Sequence, residues 1–115
     1  MANILKIRIS HGRLTAIGPG KADLLDAIQH TGSISAAAKR MGMSYRRAWE
    51  LVDSMNQCFK QPLVNTAAGG SHGGGTQVTE YGFQILASYR ALEVKSRQAA
   101  SEELLAITSQ LNAIP

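Results

Sequence analysis

A chain of 115 residues, 44% hydrophobic and 5% aromatic, has the material for one modest, largely aliphatic core. Twelve lysines and arginines against eight acids leave a formal charge of +4, which favours a polyanionic partner. A lone cysteine, Cys58, excludes an intrachain disulfide scaffold and fits a reducing compartment. Its neighbours Met55 and Phe59 predict a small buried hydrophobe rather than a reactive thiol. The N-terminus has no long apolar run, and no uncharged apolar stretch of about twenty residues occurs anywhere, so neither an export signal nor a membrane span is expected.

Taken in chain order, Leu5 to Ile9 alternates with the period of a half-buried strand. His11-Gly12 reads as a turn and Leu14 to Ile17 as a returning strand, which predicts a hairpin over about residues 4–18. On it Lys6, Arg8 and Arg13 alternate with core positions and are expected to face solvent. Gly18-Pro19-Gly20 breaks the chain, and from Lys21 to His30 the residues Leu24, Leu25, Ala27 and Ile28 share one helical face that Gly32 ends.

The stretch from Ser33 to Phe59 carries the most information. Ser33 is placed to cap a short helix, and Ala36, Ala37 and Ala38 are small enough for another helix to cross closely. Gly42 supplies the residue a tight inter-helix turn needs at positive φ. Ser44 caps again, and the next helix opens on Tyr45, Arg46 and Arg47. Its apolar stripe is Ala48, Leu51, Val52 and Met55, which turns Arg46, Arg47, Glu50 and Asp53 towards a partner. Trp49, in the helix body, is expected in the core. A helix with arginines in its first turn is what major-groove reading requires, so residues 33–59 predict a DNA-binding helix-turn-helix.

Beyond Pro62, Leu63–Thr66 and Gln77–Thr79 read as short strands around the loop Ala67-Ala68-Gly69-Gly70-Ser71-His72-Gly73-Gly74-Gly75. Together they predict a wing over about residues 63–78. A phosphate-binding nucleotide loop is disfavoured because no Gly-Lys-Ser/Thr ending follows and the loop opens onto a strand. From Thr79 the apolar register Ile85, Tyr89, Leu92, Ser96, Ala100, Leu104, Ile107, Leu111, Ile114 steps by threes and fours. It predicts a continuous helix over about 79–114, about 50 Å long. The alternative is a break near Ser96–Ser101 with the last helix folding back. A rod of that length outruns the surface of a small domain, so Tyr89, Leu92, Leu104, Ile107, Leu111 and Ile114 are expected in a homodimer interface. The fold class is thus mainly α with a small β component, a single winged helix-turn-helix domain over 1–115 with a long C-terminal dimerisation helix.

Three blocks then carry a resemblance. They are Thr31-Gly32-Ser33-Ile34-Ser35-Ala36-Ala37-Ala38, Met43-Ser44-Tyr45-Arg46-Arg47-Ala48-Trp49 with Met55-Asn56, and the glycine-rich wing with Leu86. Over roughly residues 20–95 the chain resembles the N-terminal DNA-binding domain of the ModE family of molybdate-responsive transcription regulators; LysR-type regulators share a similar module. The resemblance implies a winged helix that dimerises through its terminal helices and spans two operator half-sites, a near-palindromic site in double-stranded DNA. Full-type members continue into molybdate-binding domains. This chain ends at Pro115, so it is similar to the DNA-binding-only members, and molybdate sensing and any other cofactor are not expected.

The residues expected at DNA are Arg46 and Arg47, able to fork onto guanine or grip phosphate, with Ser44, Tyr45 and Glu50 beside them. Ser33 and Ser35 are placed to meet phosphate at the earlier helix start, Lys39 and Arg40 to add general attraction, and Ser71 and His72 to approach the backbone from the wing. His11, His30 and His72 lie far apart without ligand companions, so no metal site is expected. No nucleophile–base constellation is present either, and catalysis is not expected. A sequence-specific, nucleoid-associated cytoplasmic regulator leads this reading. A non-specific architectural DNA binder would carry more lysines and wedge residues. A winged helix given over to protein interaction would not need the Arg46-Arg47 pair.

Overall fold

The computed structural model describes residues 5–66 and 75–114. A hairpin of β1 (Ile9–His11) and β2 (Leu14–Ile17) leads into α1 (Pro19–Thr31), α2 (Ile34–Met41) and α3 (Tyr45–Cys58). A second antiparallel pair, β3 (Val64–Thr66) and β4 (Thr76–Val78), precedes α4 (Glu80–Ala99) and α5 (Ser101–Thr108). The expected class, mainly helical with two small sheets arranged as a winged helix-turn-helix, is the one observed.

Local chemistry accounts for the boundaries. Pro19 occupies the first turn of α1, where its missing N–H costs nothing. Gly32 and Gly42 close α1 and α2 in the left-handed region, at φ of 71° and 69°, a conformation that disfavours any side chain. Ser33 and Ser44 cap α2 and α3 by accepting from the N–H groups of Ala36 and Arg47, each at 3.0 Å. Thr79 caps α4 at Gly82 and also donates its hydroxyl to the carbonyl of Pro62, which ties α4 to the entry of β3.

The hairpin differs from its sequence reading. The alternation from Leu5 predicts a strand that starts there, but pairing begins only at Ile9, and every residue of β1 is exposed. The register shifts between Ile9 and Ser10, so Ile9 faces Ile17 while Ser10 faces Thr15. The preceding segment is held from elsewhere: Tyr89 of α4 donates its hydroxyl to the carbonyl of Ile7 at 2.6 Å.

The core is shared by every element except β1 and α5. Ile17, Leu24, Leu25, Ile28, Met55 and Leu63 are its largest fully buried side chains. Ala37, Ala38 and Ala48 are buried where α2 packs on α3, while Ala36, also expected at the crossing, is exposed. Asn56 joins α3 to the wing base, accepting from Leu63 N–H at 2.8 Å and donating to the carbonyl of Val64 at 3.1 Å. Arg90 joins α4 to α1, reaching Asp23 at 2.8 Å, Asp26 at 2.6 Å and its own helix's Glu93 at 3.0 Å. Burial works against that guanidinium's charge, but its bonds to Asp23, Asp26 and Glu93 outweigh it and raise its pKa.

The terminal helix corrects the sequence reading most. It is not one helix to residue 114 but two, with Ala100 (φ −102°, ψ 16°) between them and helical pairing ending at Thr108. Ala100 serves both helices, its N–H donating to Ser96 and its carbonyl accepting from Leu104, so the two meet at a single residue. Ser101-Glu102-Glu103 is first-turn chemistry, with two carboxylates at a new helix N-terminus, and it outweighs the apolar register running through it. None of the α5 residues is buried, and among the described elements α5 packs appreciably only on α4. The α5 end therefore stands away from the body, in a molecule whose longest dimension is 56 Å.

Two substitutions test this packing. A methyl group at Gly82 would overlap the carbonyl oxygen of Leu63 and come within 2.9 Å of Val78 Cγ1. Gly82→Ala should therefore cost roughly 1–3 kcal/mol in denaturant unfolding, although alanine is the better helix former; a stabilised variant would contradict the packing. Arg90→Met should cost about 1–2 kcal/mol, moderated by the partial exposure of the guanidinium, because three carboxylates lose their common partner. Unchanged unfolding would show that the α1–α4 contact does not rest on the ion network.

Candidate nucleic-acid interface

The buried stripe of α3 is Ala48, Val52 and Met55, with Leu51 partly covered beside it. At about 100° per residue, that stripe sets Arg46, Glu50, Asp53 and Gln57 on the opposite face. Arg46 is 89% exposed in its side chain and pairs loosely with Glu50 one turn on, at 3.6 Å. Such an exposed pair holds neither partner strongly. Gln57 donates to Asp53 at 2.7 Å on the same face.

Trp49 does not lie in the core as expected: it is 46% exposed, one turn beyond Tyr45, which is 56% exposed. The helical wheel explains the error. Trp49 sits at the margin of the apolar stripe, about 60° from Val52 and 100° from Ala48. The space over α1 and α2 is filled by Ala48 and Val52, and an indole at the margin remains in solvent. Two aromatic side chains and two arginines thus crowd the first two turns of α3.

The other expected contact residues fall as follows. Ser33 and Ser44 are caps, Ser33 half-buried and Ser44 exposed; Ser35 is exposed in the first turn of α2; Lys39 and Arg40 are exposed in its last turn. Ser71 and His72 lie outside the described residues. Of the residues expected at a dimer contact, Tyr89 is a correction. It is 2% exposed and committed to Ile7 within its own chain, because the hairpin segment supplies an acceptor no helical pattern could reveal. Leu92 is 37% exposed, Ile107 65% and Leu111 68%, while Leu104 is half-buried. Leu111 and Ile114 lie beyond the end of α5. Cys58 is half-buried rather than wholly enclosed.

Arg47 points to the flank of α3, away from Trp49. It borders a cleft of about 480 Å³ whose walls also include Arg8 before β1, Gly18, Pro19, Gly20 and Lys21 at the start of α1, and Glu50 and Ser54 of α3. Lys21 is 8% exposed and donates to the Thr15 carbonyl and to the Ser54 hydroxyl. Burial lowers its pKa below the ordinary lysine value; Cys58 opposes this in part, and Arg47's charge adds a smaller push in the same direction as burial. Nothing in the helical pattern of α1 marks Lys21 as buried; the signal exists only once the hairpin is folded over it. No cluster of three metal-ligating side chains occurs among the described residues, and none of their helices is long and apolar enough to cross a membrane.

Residues 21–83, from Lys21 to the first turn of α4, match the family described as bacterial regulatory helix-turn-helix protein, lysR family. Among similar proteins, the molybdenum transport protein ModE of Azotobacter vinelandii is 46% identical over 97 residues, covering 82% of this chain and 36% of that protein. The transcriptional regulator ModE of Yersinia pestis is 39% identical over 99 residues, covering 84% and 38%. The DNA-binding transcriptional dual regulator ModE of Escherichia coli K12 is 37% identical over 100 residues, with 84% and 38% covered. The chain thus spans little more than a third of these relatives' length. The backbone is similar to that of a crystallised LysR family transcriptional regulator, with a TM-score of 0.56 at 16% identity over 81% of this chain and 30% of the other, a likeness of fold. Two of these relatives are named as transcriptional regulators. On the match across residues 21–83, the chain belongs to the lysR family of bacterial regulatory helix-turn-helix proteins.

Proposed function

We propose that this chain binds duplex DNA sequence-specifically and regulates transcription, with α3 as the element that enters the major groove. The observation that carries the reading is the first turn of α3. There an exposed, Ser44-capped helix start presents Arg46 and Arg47, while the buried stripe of the same helix is fully used by the core. On this reading Arg46 leaves Glu50 to fork onto a base edge, most naturally guanine O6 and N7. Tyr45 and Trp49 offer apolar edges to thymine methyls or deoxyribose, and Ser44 and the α3 N-terminus meet a phosphate. Ser33, Ser35, Lys39 and Arg40 add phosphate contacts and attraction from α2. The relatives named as transcriptional regulators support the same assignment, and on this reading the protein works in the cytoplasm.

We further propose a symmetric homodimer through the α4–α5 rod. Leu92 and Ile107 stand exposed along it, and no residue of α5 is fully buried within its own chain. A two-fold pair would present two α3 helices to successive major grooves about 34–36 Å apart, on a near-palindromic site.

Arg46→Ala should weaken binding in a protein with unchanged unfolding, by roughly 1–3 kcal/mol per half-site if it reads guanine, with preference relaxed at that position. Arg47→Ala, if its partner is phosphate, should weaken binding evenly across sequences and flatten the salt dependence. Fluorescence anisotropy with labelled duplexes measures both, and wild-type affinity in both folded variants would contradict the reading. For assembly, sedimentation equilibrium at micromolar concentration should return twice the chain mass, and Ile107→Glu should shift it towards one. A wild-type monomer that still binds a two-half-site duplex tightly would contradict the dimer.

A further inference from the structure

Three cations from three separate elements meet at the cleft beside α3: Arg8 from the lead into β1, Lys21 from the first turn of α1, and Arg47 from α3. The one carboxylate on its wall is Glu50, in a loose, exposed 3.6 Å pair with Arg46, so three cations face one acid there. Among the described residues none of the three cations is in an ion pair. Lys21 is the telling member. The residue is more than nine-tenths buried, its ammonium donates to the neutral oxygens of Thr15 and Ser54, and a lysine has a third donor to place. A cation largely out of water, with Arg47's like charge nearby, is costly, and an anion above it would offset that cost.

The position of the cleft names the anion. A helix about 10–12 Å across fills a major groove about 12 Å wide, so the phosphate ridges run along its flanks. Arg47 marks one flank of α3, and the cleft opens there under the hairpin. We infer that the cleft seats a tetrahedral phosphate group of the DNA backbone, gripped by Arg8 and Arg47 above Lys21, so that the N-terminal hairpin clamps one wall of the groove. This rests on the DNA-binding reading above and extends it beyond the family module: Arg8 and the whole hairpin precede residues 21–83. The same chemistry would accept free inorganic phosphate, and the test separates the two sources.

The full chain is compared with Arg8→Gln, Lys21→Met and Arg46→Ala by anisotropy, on a duplex selected from a random pool and on an unrelated one, across a salt series. Arg8→Gln should weaken both duplexes by the same factor and reduce the log–log salt slope by about one per bound protomer. Lys21→Met should do likewise while it remains folded by circular dichroism. Wild-type affinity and slope in Arg8→Gln, with Arg46→Ala still impaired, would overturn the clamp and leave the DNA reading standing. Wild-type behaviour in all the variants would overturn both. Calorimetric titration of inorganic phosphate into the DNA-free protein should give no saturable heat. Micromolar binding that Arg8→Gln abolishes would mark a free-oxyanion site and overturn the backbone assignment.

Discussion

Helix α3 can bury only one face, and the choice of that face organises the rest of the molecule. Ala48, Val52 and Met55 are taken by the core, where the alanines of α2 and the leucines of α1 close over them. Small residues at the crossing bring α2 and α3 close, and two left-handed glycines aim the helices without slack. Once that face is sealed, Arg46 and Glu50 have nowhere to go but outward. The exposed cations are thus a consequence of packing and need no further device to hold them at the surface.

Around this helix the remaining elements act as braces. Asn56 fixes the base of the wing by satisfying backbone groups of Leu63 and Val64, and Thr79 fixes the start of α4 against the same strand. Arg90 and Tyr89 then tie α4 to α1 and to the segment before the hairpin. The hairpin comes to rest against the flank of α3 and covers Lys21. A chain of hydrogen bonds thus runs from α4 to α3, although α5 touches little of its own chain among the described residues.

Much of this was legible in the residues because it depends on local chemistry. Ser33, Ser44 and Thr79 announce helix starts, and Gly32 and Gly42 announce ends, each through a backbone group satisfied within a few residues. The stripe Ala48, Val52 and Met55 follows from helical spacing alone. What escaped depends on contacts between distant segments. Tyr89 fits the dimer register by spacing, yet its hydroxyl finds the carbonyl of Ile7, eighty-two residues earlier. Trp49 sits at the edge of a stripe, where spacing cannot decide between core and solvent. Lys21 reads as an ordinary surface lysine until the hairpin folds over it. At Ala100 two local signals compete, and the first-turn carboxylates outweigh an apolar register that has no core to bury into.

The central claim is that the outward face of α3 reads base sequence and does more than attract phosphate. Selection of bound duplexes from a random pool, followed by affinity for the winner and for unrelated DNA at one fixed salt concentration, tests it most directly. The account predicts a two-fold-related consensus bound about a thousandfold or more above unrelated DNA. A pool that never converges, with equal affinity for every duplex, would contradict it.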